Sequence, residues 1–194
     1  HTRYLHDNVV QLAERLLALM PPALDKAIFT CTGSEANDLA LRIANEYTGR
    51  QGVIVSRNAY HGVTLALAQV SPSLCPPASH VELIDPPAFT GVDPLVAAAQ
   101  FAQRVEEAAI RLEARGTPVS ALMLDTVFAS DGIYIDKTPV LEAAAKAVRK
   151  HGGLFIADEV QGGFARTGRW WAFEREAVVP DMVSMGKPMG NGHP

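Results

Sequence analysis

The stretch "GLFIADEVQGGFARTG", Gly153–Gly168, decides the fold. Its first half, "LFIAD", is a short apolar run bounded by glycine on one side and by charge on the other. Such a run is a strand buried on both faces when helical segments flank it. The strand ends by placing two carboxylates, Asp158 and Glu159, side by side. Ligands of α/β proteins sit at the carboxyl ends of strands. The acids therefore mark either a site or a capped turn.

The neighbouring segments supply the flanking helices. Upstream, "TPVLEAAAKAVRKHGG" has a proline start, helical spacing of apolar residues and a glycine stop. "ALMLDTV" (121–127) before it is a second buried strand, and the Ala- and Glu-rich segment 93–115 is a long helix with Pro94 near its start. "VELI" (81–84) and "VIVS" (53–56) are further strands, with a short helix between about His61 and Val70. "GSEANDLALRIANEY" is a helix with Ser34 as N-cap, preceded by a short strand "KAIFT" (26–30). Asp7 or Asn8 caps an amphipathic first helix, and "DMVSMG" (181–186) is the last strand. Strands alternate with helices throughout. The expected fold is α/β: a mainly parallel sheet with helices on both faces, in three layers.

Composition narrows the function classes. Of 194 residues, 48% are apolar and 20% charged, as in a globular domain with a substantial core. A net charge of −4 without a Lys/Arg stripe argues against a nucleic-acid or anionic-membrane partner. Cys31 and Cys75 form no CxxC and are expected to be reduced thiols in a cytoplasmic protein. No apolar run reaches the length of a membrane span, and the first residues do not form a signal peptide. The chain begins with His1 and finishes at "GNGHP", so it is expected to be part of a longer protein.

The phosphate signatures GxGxxG and GxxxxGK[ST] and the GxSxG elbow are absent, and the six histidines show no metal-ligand spacing. Four strand-to-helix turns carry polar residues instead. "TGSEAN" (32–37) opens a helix, where free amides and the helix dipole attract an anion; Gly33 permits close approach and Ser34 offers a hydroxyl. "NAYHGVT" (58–64) offers Tyr60 or His61 as a flat surface for an aromatic ligand. Asp158 favours the protonated form of a neighbouring heteroaromatic nitrogen, with Val160 and Gln161 beside it as an apolar contact and an amide donor. Lys187, among glycines, becomes a nucleophilic amine if it turns inward. Each has an ordinary alternative: an N-cap, a packing aromatic, a solvated acid, a surface lysine. Together they describe one ligand, with a phosphate, a flat ring, a ring nitrogen and an aldehyde.

The motifs "TGSEANDLALR", "AYHG", "LFIADEVQGGFARTG" and "VSMGKPMGNGHP", in this order and spacing, closely resemble class III aminotransferases of the aspartate-aminotransferase fold type. The resemblance runs from near residue 1 to the end. The family's cofactor, pyridoxal 5′-phosphate, has all four of those parts. The resemblance implies that Gly33 and Ser34 bind the phosphate and that Tyr60 stacks on the ring, with His61 and Gly62 completing the turn. It implies further that Asp158 partners the ring nitrogen, Val160 packs on the opposite face, Gln161 meets the ring hydroxyl and Lys187 forms the Schiff base. Lys187 and Asp158 are thus the expected catalytic pair.

The activity so implied is transfer of an amino group from an amino acid or amine to an oxo acid. "RYLHDNVV" and "GKPMGNGHP" look most like the branch of alanine–glyoxylate-type aminotransferases and related phospholyases, which eliminate phosphate from phosphorylated amino alcohols. One departure stands out: "DTVFAS" (125–130) occupies the place of "E-P-x-x-G-E", so Asp125 keeps an acid while Ser130 replaces a glutamate. In some members that glutamate pairs with a substrate-binding arginine. Family members are considerably longer. Residues 1–194 correspond to the large cofactor-binding domain, without the N-terminal segment and the C-terminal small domain, and the family pattern implies a homodimer.

Overall fold

The structure, a computed structural model, describes residue 4, residues 6–135 and residues 138–192. Arg3 and Leu5 of "RYLHDNVV" and His193 and Pro194 of "GKPMGNGHP" lie outside the described residues. Among the described residues the α-helices and strands follow in the order α1 (Asp7–Leu17), α2 (Gly33–Thr48), β1 (Gly52–Ser56), α3 (Leu65–Gln69), β2 (Val81–Ile84), α4 (Pro94–Ala114), β3 (Val119–Asp125), α5 (Val140–Lys150), β4 (Leu154–Asp158) and β5 (Met182–Ser184), so helices and strands alternate from α2 to β4. The strands form one sheet in the order β2-β1-β3-β4-β5 with every pair parallel.

The direction of winding reverses at β1. The chain moves outward from β1 to β2 through α3, then back past β1 to β3 through α4. With crossovers of one hand, this reversal puts α3 and α4 on opposite faces of the sheet. The side-chain period of two divides the strands accordingly. Ile54, Leu122, Leu124, Phe155 and Ala157 point into a core with Phe101, Val105 and Leu112 of α4 and Leu141, Ala144 and Val148 of α5. Val53, Val55, Ala121, Met123 and Ile156 point the other way, onto Ala40, Leu41 and Ala44 of α2 and Leu67 of α3. The expected three-layer α/β/α architecture is present. Each fully buried Leu, Ile or Phe contributes about 1.5–3 kcal/mol of transfer free energy. Among the described residues no helix is long and apolar enough to cross a membrane, and Cys31 and Cys75 are free thiols.

Several local expectations are corrected. "KAIFT" forms no strand; residues 26–30 run as irregular chain along a cavity wall, with Ile28 exposed. A strand needs a neighbour for its amides, and this segment pairs with none among the described residues. The cap of α1 is His6, whose Nδ1 accepts from the Asn8 amide at 3.2 Å, in place of Asp7 or Asn8. The cap of α2 is Thr32, not Ser34. Thr32 Oγ1 accepts from Glu35 N at 3.0 Å, and Glu35 Oε2 accepts from Thr32 N at 3.0 Å, a reciprocal capping box.

Two carboxylates, one buried and one half-buried, cap helical turns remote in sequence. Glu159 is fully buried and accepts from the amides of Ala172 and Phe173 at 2.8 and 2.9 Å, at the start of a 3-10 turn over Ala172–Arg175. The α5 N-terminus follows Pro139 and has no local side-chain cap. Glu176 supplies it, accepting from Leu141 N at 2.7 Å and Glu142 N at 3.0 Å. Burial, outweighing these hydrogen bonds, pushes the Glu176 carboxyl up to about 7. The folded protein therefore holds this proton more tightly than the unfolded chain does. Its contribution to stability is complete at low pH and is lost as pH rises through the value reached in the fold. The melting temperature of Glu176→Gln should accordingly change less between about pH 5 and about pH 8 than that of the wild type. An unchanged slope in pH-dependent calorimetry would contradict this account.

Candidate active site

The carboxyl ends of β1, β3, β4 and β5 and the N-terminus of α2 border a single cavity of about 820 Å³. The question posed by the paired acids is answered by the strand period. Asp158 and Glu159 are consecutive, so their side chains leave opposite faces of the sheet. Glu159 turns to the 3-10 cap; Asp158 turns toward α2 and lines the cavity.

Asp158 is buried and held by three N–H donors. Its Oδ2 accepts from Asn37 Nδ2 and from His61 Nδ1, both at 2.8 Å. Its Oδ1 accepts from Val160 N at 3.1 Å. An ionised carboxylate can only accept, so Nδ1 carries the imidazole hydrogen in this pair. Two donors occupy the lone pairs of Oδ2. Oδ1 keeps one acceptor position, and that position suits an N–H of a ligand in the cavity.

The turn after β1 is drawn against the start of α2. The Ser34 hydroxyl accepts from Val63 N at 3.2 Å, and Ser71 Oγ accepts from His61 N at 3.0 Å while donating to Gly62 O at 3.2 Å. Gly62 adopts φ +139, and a Cβ there would lie 2.6 Å from both Ser34 Oγ and Leu67 Cδ1. Only glycine permits this approach. Tyr60, 42% exposed, stands on the cavity wall. The Val160 methyls sit 3.3 and 3.7 Å from the point a Gly33 Cβ would occupy, which packs this valine beneath the first turn of α2. The Thr32 side chain takes the Glu35 amide, so the Gly33 and Ser34 amides are left at the helix start without an intrahelical acceptor.

Gln161 and Lys187 complete the set of expected residues; both line the cavity. The Gln161 carbonyl accepts from Arg166 Nη1 at 3.0 Å. Lys187 opens a 3-10 turn over Lys187–Gly190 directly after β5, and its side chain is exposed on the cavity wall. The structure thus gathers Gly33, Ser34, Tyr60, His61, Asp158, Val160, Gln161 and Lys187 around one space.

Two further polar residues belong to the same space. Asn37 was not singled out in the sequence, although a signal was there. The buried stripe of α2 is Asn37, Ala40, Leu41 and Ala44, and a lone amide in an apolar stripe requires a partner. Asp125 lies in register with Asp158 on the adjacent strand, pointing to the same face. Its oxygens accept from Val127 N at 2.9 Å and Ala129 N at 3.0 Å, which shapes the loop that brings Ser130 to the cavity. Burial, reinforced by the neighbouring Asp158 charge, pushes Asp125 up to about 6 against the pull of those amides.

The family model for Aminotransferase class-III matches residues 1–194. The chain belongs to the class III aminotransferase family. It is 40% identical to alanine–glyoxylate aminotransferase 2-like of Drosophila melanogaster, over all of this chain and 42% of that protein. Among solved structures, an Arthrobacter phospholyase in complex with phosphoethanolamine superposes with a TM-score of 0.91 at 43% identity, over 100% of this chain and 48% of that one. The taurine:2-oxoglutarate aminotransferase of Bifidobacterium kashiwanohense, in complex with PLP and glutamate, superposes with a TM-score of 0.82 at 26% identity, over 95% of this chain and 44% of that one. The chain therefore spans less than half the length of these relatives.

The close approach at Gly62 gives a direct test. Gly62→Ala adds a clash to an unfavourable φ and should cost about 3 kcal/mol. Gly91→Ala, at φ +74 with nothing within 4 Å, carries only the backbone cost, about 1 kcal/mol. Denaturant midpoints of the two variants measure the difference, and equal losses would mean that the turn can draw back from α2.

Proposed function

We propose that residues 1–194 form the large, cofactor-binding domain of a pyridoxal-phosphate-dependent aminotransferase, acting on an amino acid or amine and an oxo acid. The observation that carries this reading is that Lys187, Asp158 and the start of α2 face one cavity. Its residues fit the cofactor. The Gly33 and Ser34 amides suit the phosphate at the positive end of a helix. Tyr60 and Val160 suit the two faces of the ring. The open acceptor position on Asp158 Oδ1 suits a protonated ring nitrogen, and Gln161 suits the ring hydroxyl. Bound there, pyridoxal phosphate supplies an aldehyde that captures amines and a ring that accepts electrons from the substrate carbon.

The chain's own groups then have separable tasks. Lys187 would hold the cofactor through its side-chain amine and would move a proton at the reacting carbon. Asp158 would favour the protonated form of the ring nitrogen. His61 and the Val160 amide orient the carboxylate for that contact. We further infer a cytoplasmic homodimer. The free thiols support the compartment. The exposed apolar side chains of Val9, Val10 and Leu12 on α1 support the association.

A second reading, a phospholyase acting on a phosphorylated amino alcohol, is supported by the 43% identity to the Arthrobacter phospholyase. Ser130 in place of a family glutamate removes one feature tied to oxo-acid handling in some members. Incubation of the full-length holoprotein with phosphoethanolamine separates the two. Release of inorganic phosphate without any oxo acid identifies the lyase; amino transfer that stops when the oxo acid is withheld identifies the aminotransferase. In either case Lys187→Ala should lower turnover by about a hundred- to ten-thousandfold, measured as product formed at saturating substrate. Near-wild-type turnover of that variant would remove Lys187 from the chemistry.

A further inference from the structure

We infer that Asn37 is a positioning residue for the ring-nitrogen contact: its amide fixes the Asp158 carboxylate in the orientation that leaves Oδ1 open to the cavity. This inference rests on the proposal that Asp158 meets the nitrogen of pyridoxal phosphate.

Asn37 is 1% exposed, on the second turn of α2. Its Nδ2 donates to Asp158 Oδ2 at 2.8 Å and to the His61 carbonyl at 2.9 Å. One amide group thereby joins three segments of chain: the start of α2, the tip of β4 and the turn after β1. The side chain can point only one way. If the amide were flipped, its oxygen would face two acceptors, a carboxylate and a carbonyl. In the orientation present, Asn37 Oδ1 is buried with no hydrogen-bond partner among the described residues. A buried carbonyl without a partner is destabilising by itself. An asparagine stands where the rest of the stripe is alanine and leucine, and its donor toward Asp158 offsets that cost.

The geometry also assigns a division of labour between the two carboxylate oxygens. Asn37 and His61 both bind Oδ2, from different segments, and so resist rotation of the carboxylate about its last bond. Without Asn37, Oδ2 regains a free lone pair and the carboxylate can rotate or draw toward His61. The contact to the ring nitrogen would then loosen, while the phosphate and lysine contacts, built on other residues, remain.

The test compares cofactor binding by the full-length protein, stripped of cofactor, to pyridoxal phosphate and to its deaza analogue, in which carbon replaces the ring nitrogen. Wild type should bind pyridoxal phosphate at least about tenfold more tightly, because a charge-assisted hydrogen bond is lost with the analogue. Asn37→Ala should reduce that preference by about fivefold or more while changing analogue affinity less than about twofold. Asn37→Ser, polar but too short to reach Asp158, should do the same and provides the reading if the alanine variant misfolds. Equal weakening of both ligands, with the preference kept, would make Asn37 a structural residue only and overturn the inference. So would loss of a cooperative melting transition in both variants. Absence of any preference in the wild type would instead remove the role proposed for Asp158, and the inference with it.

Discussion

A carboxylate buried at the end of a central strand must be surrounded by hydrogen-bond donors, and much of the site follows from how this chain meets that need for Asp158. No single segment supplies them all. One comes from the backbone two residues on, one from a helix residue 121 positions earlier and one from a histidine 97 positions earlier. The turn carrying the histidine can reach only because Gly62 lets it lie against Ser34. The first turn of α2 lies close over Val160, whose methyl a Cβ on Gly33 would meet at 3.3 Å. Satisfying one charge therefore brings together the helix start, the aromatic turn and the strand tip.

The same face carries a second acid. Asp125 and Asp158 sit in register on neighbouring parallel strands, which lie about 4.8 Å apart. Their environments differ. Asp158 has three donors and an opening to the cavity, whereas Asp125 spends its oxygens on the backbone of the following loop. Burial, with the neighbouring Asp158 charge adding to it, moves Asp125 up. Its loop is also fastened to β1 by Ser56 Oγ, which donates to Asp131 Oδ2 at 2.6 Å. Ser130, between these two anchors, is held at the cavity wall. A substitution in this loop thus changes the cavity without touching Asp158, Tyr60 or Lys187.

Away from the cavity, two acids withdrawn from solvent act as structural caps. Glu159 and Glu176 each take two amides at the start of a helical turn that lacks a suitable residue of its own. Proline precedes α5, and no N-cap side chain serves the Ala172 turn. A carboxyl oxygen from another part of the chain accepts the amides that the start of the turn leaves free. Neighbouring acids in one short motif, Asp158 and Glu159, thereby belong to different systems: one faces the cavity and the other closes a turn.

The order of strands and helices was legible in the sequence, because apolar periodicity and glycine or proline boundaries are local properties. So were the residues now found around the cavity, since each lies at a strand-to-helix turn or follows a strand. Even the capping box was written out, as Thr32 and Glu35 three apart, although Ser34 drew attention first. "KAIFT" misled because local β-propensity cannot tell whether a neighbouring strand exists. What only the tertiary structure decided was pairing at a distance: Asn37 with Asp158, Glu176 with α5, Asp125 beside Asp158. The chain's pattern fixes which face a side chain leaves from. Which partner it meets there depends on sheet order and register, and those are set by packing between segments more than a hundred residues apart in the case of Asn37 and Asp158.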